Sequence, residues 1–207
     1  MKVVPRFGKP KRIYRNGGPV NPPIVALGGA SGYALGVQLE RFIRDVPDFP
    51  KKGIVFKDIT PLWRDSKALA WCVDRMVDFG KRERAQTVAG IESRGFIMAG
   101  AVARQLGVGF VPVRKHGKLP WERVGVNYSL EYGEDTVEMH RDAVKAGQRV
   151  LLVDDLLATG GTAAAACQLI RKMGAVVAGA AFIVELAFLK GRERLGDLPL
   201  LQLVRFE

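Results

Sequence analysis

The sequence predicts an α/β fold in which a parallel β-sheet is flanked by helices on both faces. From about residue 87 onward, short apolar segments alternate with longer segments of helical period, which is the order of strands and helices in such folds. The short segments are apolar without interruption, as is typical of strands buried on both faces. At 207 residues and 48% hydrophobic content, the chain can bury one such core.

The first predicted elements precede the alternating region. Apolar residues at helical spacing predict a helix over residues 38–46, which Pro47 ends. Residues 51–62 are interpreted as irregular or extended chain. Asp65 or Ser66 can cap the next helix, because either side chain accepts hydrogen bonds from amides of the first turn. The apolar face of that helix consists of Leu69, Cys72, Val73, Met76 and Val77.

The alternating region starts with a strand at "TVAGI" and a helix at "RGFIMAGAVARQLG". We expect this helix to stop at Gly107, because glycine readily adopts the left-handed conformation that ends helices. A second strand follows at "VGFVPV". Residues 116–136 show no sustained period and predict a long loop, of the kind that often serves as a lid.

The remaining chain predicts three strands and one helix. The strands are expected at "RVLLVDD", "VVAGAAFIVE" and "LPLLQLVRFE", and the helix at "GTAAAACQLIRKMG". Ligands of such folds bind beyond the carboxyl ends of the strands. We therefore expect three segments at strand ends to meet in one crevice, namely residues 92–95, 114–135 and 154–162.

Residues 1–36 differ in composition from the rest and predict a tail ahead of a single domain at 37–207. The formal net charge is +11, and Lys and Arg are frequent in the first fifteen residues, which contain no acid. Glycine and proline are frequent up to residue 36, and this composition resists packing. We interpret the segment as a solvated basic tail. Nucleic-acid binding through this tail is the alternative that its charge leaves open.

Other classes of protein are disfavoured by what the sequence lacks. No uninterrupted apolar stretch approaches the ~20 residues of a membrane span, so we expect no membrane partner. Cys72 and Cys167 lie in apolar helical patterns without CxxC spacing. They predict reduced core thiols in a cytoplasmic protein and no metal site.

The segment "VLLVDDLLATGGT" combines two carboxylates with a glycine pair. Gly160 and Gly161 permit close approach of a ligand to the backbone, and the helix that follows directs free N–H groups towards it, as in phosphate sites. Ionised Asp154 and Asp155 only accept hydrogen bonds, so they require hydroxyl groups or a cation. A sugar phosphate satisfies both requirements, and we expect an exposed carboxylate at Asp155. The segment has neither the GK[ST] of a P-loop nor GxGxxG.

Several motifs, in one order, resemble those of the type I phosphoribosyltransferases. "VLLVDDLLATGGT" resembles their signature for phosphoribosyl diphosphate (PRPP), and the LLATGGT form is similar to that of the adenine phosphoribosyltransferases. The likeness covers roughly residues 38–207. It continues through "PDFPKKGIVFKDITPL", "GIESRGF", "RKHGKLP", "YSLEYG" and "VELAFLKGRERL".

This resemblance implies the type I phosphoribosyltransferase fold with a flexible lid loop, and the reaction of adenine with PRPP to give AMP and pyrophosphate. The ribose 5-phosphate is then expected at Asp154, Asp155, Ala158, Thr159, Gly160, Gly161 and Thr162. Pyrophosphate is expected at Ser93, Arg94, Arg114, Lys115 and Lys118. Adenine is expected at Val55, Phe56 and Lys57.

The resemblance also implies catalytic groups, a cofactor and an assembly. Glu131 is the candidate acid/base for the purine, Arg94 is the second candidate catalytic residue, and Tyr132 belongs to the lid. Mg²⁺ is expected to bind mainly through PRPP and pyrophosphate, with no side chain assigned as a direct ligand. A homodimer is implied as well.

Two alternative functions stay open on the sequence. One is a transferase for another purine such as xanthine, because backbone readout of the base leaves no mark in the side chains. The other is a PRPP-sensing regulator that binds nucleic acid. Against the regulator, residues 1–36 are too short and too rich in Gly and Pro for a winged helix, and "SLEYG" is intact.

Overall fold

The structure, a computed structural model, describes residues 38–129 and 134–207. The predicted tail at 1–36 and the predicted lid residues Glu131 and Tyr132 lie outside the described residues, so both remain predictions.

A short 3₁₀ helix and a two-stranded antiparallel sheet begin the described chain. The 3₁₀ helix spans Leu39–Phe42, and strands β1 (Arg44–Pro47) and β2 (Val55–Asp58) pair with each other. The helix predicted over residues 38–46 is therefore wrong. Its apolar spacing does not mark a buried helical face, since only Leu39 in this segment is buried, and pairing with β2 satisfies the backbone of residues 44–47 instead.

The main sheet has, within the described ranges, seven strands in the spatial order β5-β6-β4-β3-β7-β8-β9. The pairs that join β4, β3, β7, β8 and β9 are parallel, whereas β6 pairs antiparallel with both β4 and β5. The strands are β3 (Thr87–Ile91), β4 (Gly109–Lys115), β5 (Arg123–Ser129), β6 (Glu134–His140), β7 (Arg149–Leu157), β8 (Val176–Leu186) and β9 (Leu200–Phe206).

The described helices cover both faces of this sheet, which confirms the predicted α/β class. They are α1 (Thr60–Arg64), α2 (Ser66–Arg82), α3 (Gly95–Leu106) and α4 (Gly161–Lys172). Alternate residues of the central strand β7 enter two different cores. Val150 and Leu152 pack in the core that contains α4, and Leu151 and Val153 pack in the core of α2 and α3.

Strands β5 and β6 lie largely where the sequence predicted a loop over residues 116–136, and that prediction is wrong for residues 123–129 and 134–136. The two strands form a hairpin at one edge of the sheet. Its inward side chains, among them Val126, Val137 and Met139, are buried in the core that contains α4. Their period of two residues is short and broken by charged residues, so it is weak in the sequence.

The helix boundaries follow the predicted signals. The Asp65 carboxylate accepts hydrogen bonds from the amides of Lys67 and Ala68 at the start of α2. At the end of α3, Gly107 has a φ of +73°. Across the two described ranges, none of the helices is both long and apolar enough to traverse a bilayer.

Candidate functional site

Residues at or directly after the carboxyl ends of β3, β4 and β7 line one pocket, as the sequence predicted. Its volume is about 350 Å³. Its lining includes Glu92, Ser93 and Arg94 after β3, Lys115 at the end of β4, and residues 154–163.

The two carboxylates at the end of β7 lie deeper than the sequence suggested. Asp155 is only 4% exposed, which corrects the expectation of an exposed carboxylate. Arg94 Nε lies 2.8 Å from Asp155 Oδ2, but its N–H does not point at that oxygen, which accepts no hydrogen bond within the described chain. The Asp155 amide donates to Asp154 Oδ1 at 2.9 Å. A buried oxygen without a donor, at the wall of a pocket, is suited to a ligand hydroxyl group.

Both carboxyl groups resist ionisation in the free protein. Burial raises the pKa of Asp154 well above its usual value, and the neighbouring charge of Asp155 raises it further. Burial also raises the pKa of Asp155, although the Arg94 guanidinium opposes this effect. A bound hydroxyl donor or cation would offset the cost of ionising this pair.

The glycine turn after β7 forms the phosphate-loop candidate, residues 158–162. Gly160 has a φ of +77°, and α4 begins at Gly161 without a side-chain cap. The amides of the first turn of α4 are therefore available to an anion. Thr159 is exposed, and Thr162 Oγ1 donates to Tyr128 Oη at 3.1 Å.

Gly191 packs closely against the backbone of this loop. A Cβ atom on Gly160 would lie 2.3 Å from the Gly191 carbonyl oxygen, and a Cβ on Gly191 would lie 2.1 Å from the Ala158 carbonyl oxygen. Next to Gly191, Arg192 donates to both oxygens of the buried Glu185, at 3.0 and 2.7 Å. No role for Gly191 was predicted, because nothing in "KGRER" indicates contact with a loop thirty residues earlier.

Arg114, Lys115 and Lys118, which were predicted at pyrophosphate, form hydrogen bonds with two different carboxylates. Arg114 Nε and Lys118 Nζ donate to the two oxygens of Glu92, at 2.8 and 2.6 Å, and neither residue lines the pocket. Burial raises the pKa of Glu92, but the hydrogen bonds from Lys118 and Arg114 outweigh it and hold that pKa below its usual value. Lys115 does line the pocket, and it donates to Tyr128 Oη and Asp135 Oδ2.

Tyr128 and Asp135 are pocket neighbours that the sequence did not single out. They face each other across β5 and β6, and Tyr128 Oη donates to Asp135 Oδ2 at 3.2 Å. The hairpin is thereby joined to Lys115 and, through Tyr128, to Thr162. Alternation on either side of "SLEYG" was the signal that could have placed both residues on strands.

The predicted base-binding residues lie on β2, outside the pocket lining but next to Arg94. The Arg94 guanidinium lies 5.2 Å from the centre of the Phe56 ring, a cation–π distance. Val55 is half exposed. Lys57 Nζ donates to Asp45 Oδ1 at 2.6 Å and lies over the ring of Phe206, so the structure gives it no contact with the pocket.

Comparisons with known proteins point to a single family. A model of the phosphoribosyl transferase domain matches residues 57–196. An adenine phosphoribosyltransferase of Parvibaculum lavamentivorans is 53% identical over 173 residues, covering 83% of this chain and 99% of that protein. The crystal structure of adenine phosphoribosyltransferase from Thermoanaerobacter pseudethanolicus superposes with a TM-score of 0.78 at 47% identity, covering 81% of this chain and 98% of that one.

A second similar structure carries ligands. It is the adenine phosphoribosyltransferase of Saccharomyces cerevisiae, complexed with D-2,5-dideoxy-2,5-imino-altritol 1,6-bisphosphate and adenine. It superposes with a TM-score of 0.75 at 40% identity, covering 80% of this chain and 96% of that one.

We predict that Asp154→Asn stabilises the free protein at neutral pH. The raised pKa means that the folded state binds this proton more tightly than the unfolded chain does, so stability is full at acid pH and falls as the pH rises from the usual carboxyl range towards the raised pKa. Asparagine removes this penalty, and each 1 kcal/mol regained raises the melting temperature by about 2–4 °C.

Thermal unfolding of both proteins at pH 3 and pH 7 measures this effect, with the exposed Asp142→Asn as the control for loss of one charge. The gain should be present at pH 7 and absent at pH 3. An unchanged melting temperature at pH 7, or an equal gain at both pH values, contradicts the prediction.

We predict that Gly191→Ala destabilises the fold by displacing the phosphate loop. The added methyl group would lie 2.1 Å from a backbone oxygen, and overpacking of this kind costs about 1–3 kcal/mol of unfolding free energy. Urea denaturation measures the loss. Gly100→Ala on α3 is the matched control, because its Cβ meets no atom within 4 Å. Equal stability of the two variants would show that the loop tolerates the displacement.

Proposed function

The chain belongs to the adenine phosphoribosyltransferase family, and on this premise we propose that its pocket transfers the ribose 5-phosphate of PRPP to adenine. The products are AMP and pyrophosphate, so the enzyme is a pentosyltransferase of purine salvage. The observation that carries the proposal is the meeting of an acidic pair, a glycine phosphate loop and a lysine in one pocket.

In this proposal the phosphate loop and the acidic pair bind two different parts of the same ligand. Amides of residues 158–162 donate to the 5-phosphate, with the hydroxyls of Thr159 and Thr162 as further donors. Asp155 Oδ2, which lacks a hydrogen bond in the described chain, accepts from a ribose hydroxyl, and Asp154 lies beside it. This arrangement supports a ribose 5-phosphate better than a simple phosphate, because the acidic pair can accept hydrogen bonds from ribose hydroxyl groups, which phosphate alone does not supply.

Adenine is placed between Phe56 and Arg94. The Arg94 guanidinium lies 5.2 Å from the centre of the Phe56 ring, so the two side chains must separate for a planar base to insert and stack on both. The backbone of the half-exposed Val55, on strand β2, is proposed to read the edge of the base. Lys57 donates to Asp45, so we assign it a role in supporting this strand, and its predicted contact with adenine stays a prediction.

The pyrophosphate end of PRPP is placed against Ser93, Arg94 and Lys115, which line the pocket. Arg114 and Lys118 contribute once they leave Glu92, to which both are hydrogen-bonded in the free chain. Arginine and lysine donate charge-assisted hydrogen bonds to phosphate oxygens. Such bonds favour the departure of pyrophosphate, because they strengthen as negative charge collects on the leaving group.

The residues of the pocket fit Mg²⁺ that arrives with PRPP. The described residues contain no group of three or more His, Cys, Asp or Glu that could cage a metal ion. Mg²⁺ usually binds through one or two carboxylates together with substrate phosphates and water, and Asp154 and Asp155 supply such carboxylates. When bound, the ion neutralises charge on the departing pyrophosphate.

Transfer breaks the bond between the anomeric carbon and pyrophosphate and forms a bond from that carbon to a ring nitrogen of adenine, which loses its proton. Positive charge develops on the ribose during this exchange. Arg94 and Phe56 hold the base, and the acidic pair holds the sugar. Glu131 is proposed as the group that exchanges the proton, and Tyr132 as part of a lid that excludes water. Both lie outside the described residues.

A homodimer is proposed from membership of the family and from an apolar patch. Ile97 on α3 and Phe110 on β4 are exposed, and the Phe96 ring packs edge-on against Phe110. Burial of such a patch against a second copy would be favourable. The two buried free cysteines, Cys72 and Cys167, support the proposed cytoplasmic location.

We predict that PRPP and Mg²⁺ support release of pyrophosphate when adenine is added. The rate with adenine should exceed the rates with guanine, hypoxanthine and xanthine by about tenfold or more, because unpaired polar groups at a base-reading site are costly. A higher rate with xanthine would favour the transferase for another purine. Binding of nucleic acid, without release of pyrophosphate in the presence of any of the four bases, would favour the regulator.

Asp155→Asn, which loses an acceptor for the ribose, should fold but bind PRPP much more weakly.

We predict that Glu131→Gln lowers kcat by about 100-fold, the usual contribution of a general acid or base, while PRPP affinity changes little. Steady-state kinetics and direct binding of PRPP separate the two quantities. Glu122→Gln is the control, because that carboxylate is exposed and pairs with Arg141. An unchanged kcat in Glu131→Gln would refute the assignment.

A further inference from the structure

The cations that line the pocket are already paired with carboxylates of the same chain. Among the described residues of the lining, Arg94 and Lys115 are the cations. Arg94 forms an ion pair with Asp155, and Lys115 forms one with Asp135. Asp155 has a proposed role at the ribose. Asp135 has no role in the proposed function, although its carboxylate holds a lysine that is placed at pyrophosphate.

Asp135 is the fixed partner in its ion pair. Its Oδ1 accepts from the Thr136 amide at 2.7 Å, and its Oδ2 accepts from Tyr128 Oη at 3.2 Å. Burial raises the pKa of Asp135, but the hydrogen bonds from Lys115 and Thr136 outweigh it, so the group is ionised at neutral pH. Lys115, by contrast, reaches its partner on a flexible stem of four carbons.

We propose that Asp135 is an internal counter-anion for Lys115, which the pyrophosphate end of PRPP displaces when it binds. The inference rests on the proposed function, since it assigns Lys115 to pyrophosphate. In the free protein, Asp135 and Tyr128 hold the ammonium group at the hairpin of β5 and β6. On binding, the ammonium group exchanges this carboxylate for a phosphate oxygen.

The exchange makes Asp135 a positioning residue that limits affinity. Lys115 gains one charge-assisted hydrogen bond only by giving up another, and the carboxylate left behind repels the bound anion. The same competition favours departure of the product, because Lys115 can return to Asp135 as pyrophosphate leaves. Tyr128 links this exchange to the phosphate loop, since its hydroxyl also accepts from Thr162.

The test measures binding of pyrophosphate and of PRPP, each with Mg²⁺, to the full chain. Asp135→Asn should lower the Kd of both ligands by about threefold, a size typical of partly exposed ion pairs. The KM for PRPP should fall with it, and the KM for adenine should stay unchanged. Asp135→Ala should act in the same direction. Asp142→Asn removes an equal charge beyond the opposite end of β6, roughly 20 Å away by the rise of a strand, and should change nothing.

Lys115→Met separates exchange of a partner from a general field effect. The single variant Lys115→Met should bind pyrophosphate about tenfold more weakly than the wild type, because it loses a charge-assisted hydrogen bond. In its background, Asp135→Asn should have no further effect if Asp135 acts through Lys115. The same threefold gain with and without Lys115 would overturn the proposal, as would weaker or unchanged binding in Asp135→Asn.

The wild-type chain and thermal unfolding provide the remaining controls. All variants should unfold within a few degrees of the wild type, so that changes in Kd report binding and not loss of fold. If the wild type neither binds PRPP nor releases pyrophosphate in the presence of adenine, the proposed function fails. If the wild type does both and Asp135→Asn binds as the wild type does, only the role of Asp135 fails.

Discussion

The close approach of β7 and its loop to their neighbours, at Gly95 on one side and Gly191 on the other, is the constraint on which the pocket depends. A Cβ atom at Gly95 would lie 2.5 Å from Asp154 Oδ1, and one at Gly191 would lie 2.1 Å from the Ala158 carbonyl oxygen. Any side chain at either position would push the acidic pair or the phosphate loop out of place. Because protein interiors are close-packed, the two glycines permit the observed positions of the carboxylates and of the loop.

A second feature of the site is that opposite charges are paired before a ligand arrives. Glu92 binds Arg114 and Lys118, Asp155 binds Arg94, and Asp135 binds Lys115. Among the described residues that line the pocket, both cations, Arg94 and Lys115, are therefore paired with carboxylates. Ion pairs of this kind keep cationic side chains near the site without the repulsion that unpaired like charges would cause. Under the proposed function, binding becomes an exchange of partners, and Asp135 affects affinity without contacting the substrate.

The sequence predicted the central part of the fold well and its margins poorly. Long apolar runs and helices ended by glycine located β3, α3, β7 and α4, because burial on both faces leaves a strong and continuous signal. The predictions of a helix at 38–46 and of a loop at 116–136 were wrong, because short strands at the margins carry few buried residues and obtain their structure from pairing. For β1 the partner is β2, and for β5 it is β6, and in neither case does the local sequence identify it.

The sequence by itself determined the fold class, the family and the motifs that line the pocket, because those motifs are contiguous and their chemistry depends on residue type. Two carboxylates followed by TGGT already predict a ligand that combines a phosphate with hydroxyl groups or a cation. Only the tertiary structure decided that Asp155 is buried, that Arg114 and Lys118 share Glu92, and that Lys115 is held by Asp135. These pairings join residues about 20 or more positions apart, and their distances follow from strand register and packing, which no local pattern encodes.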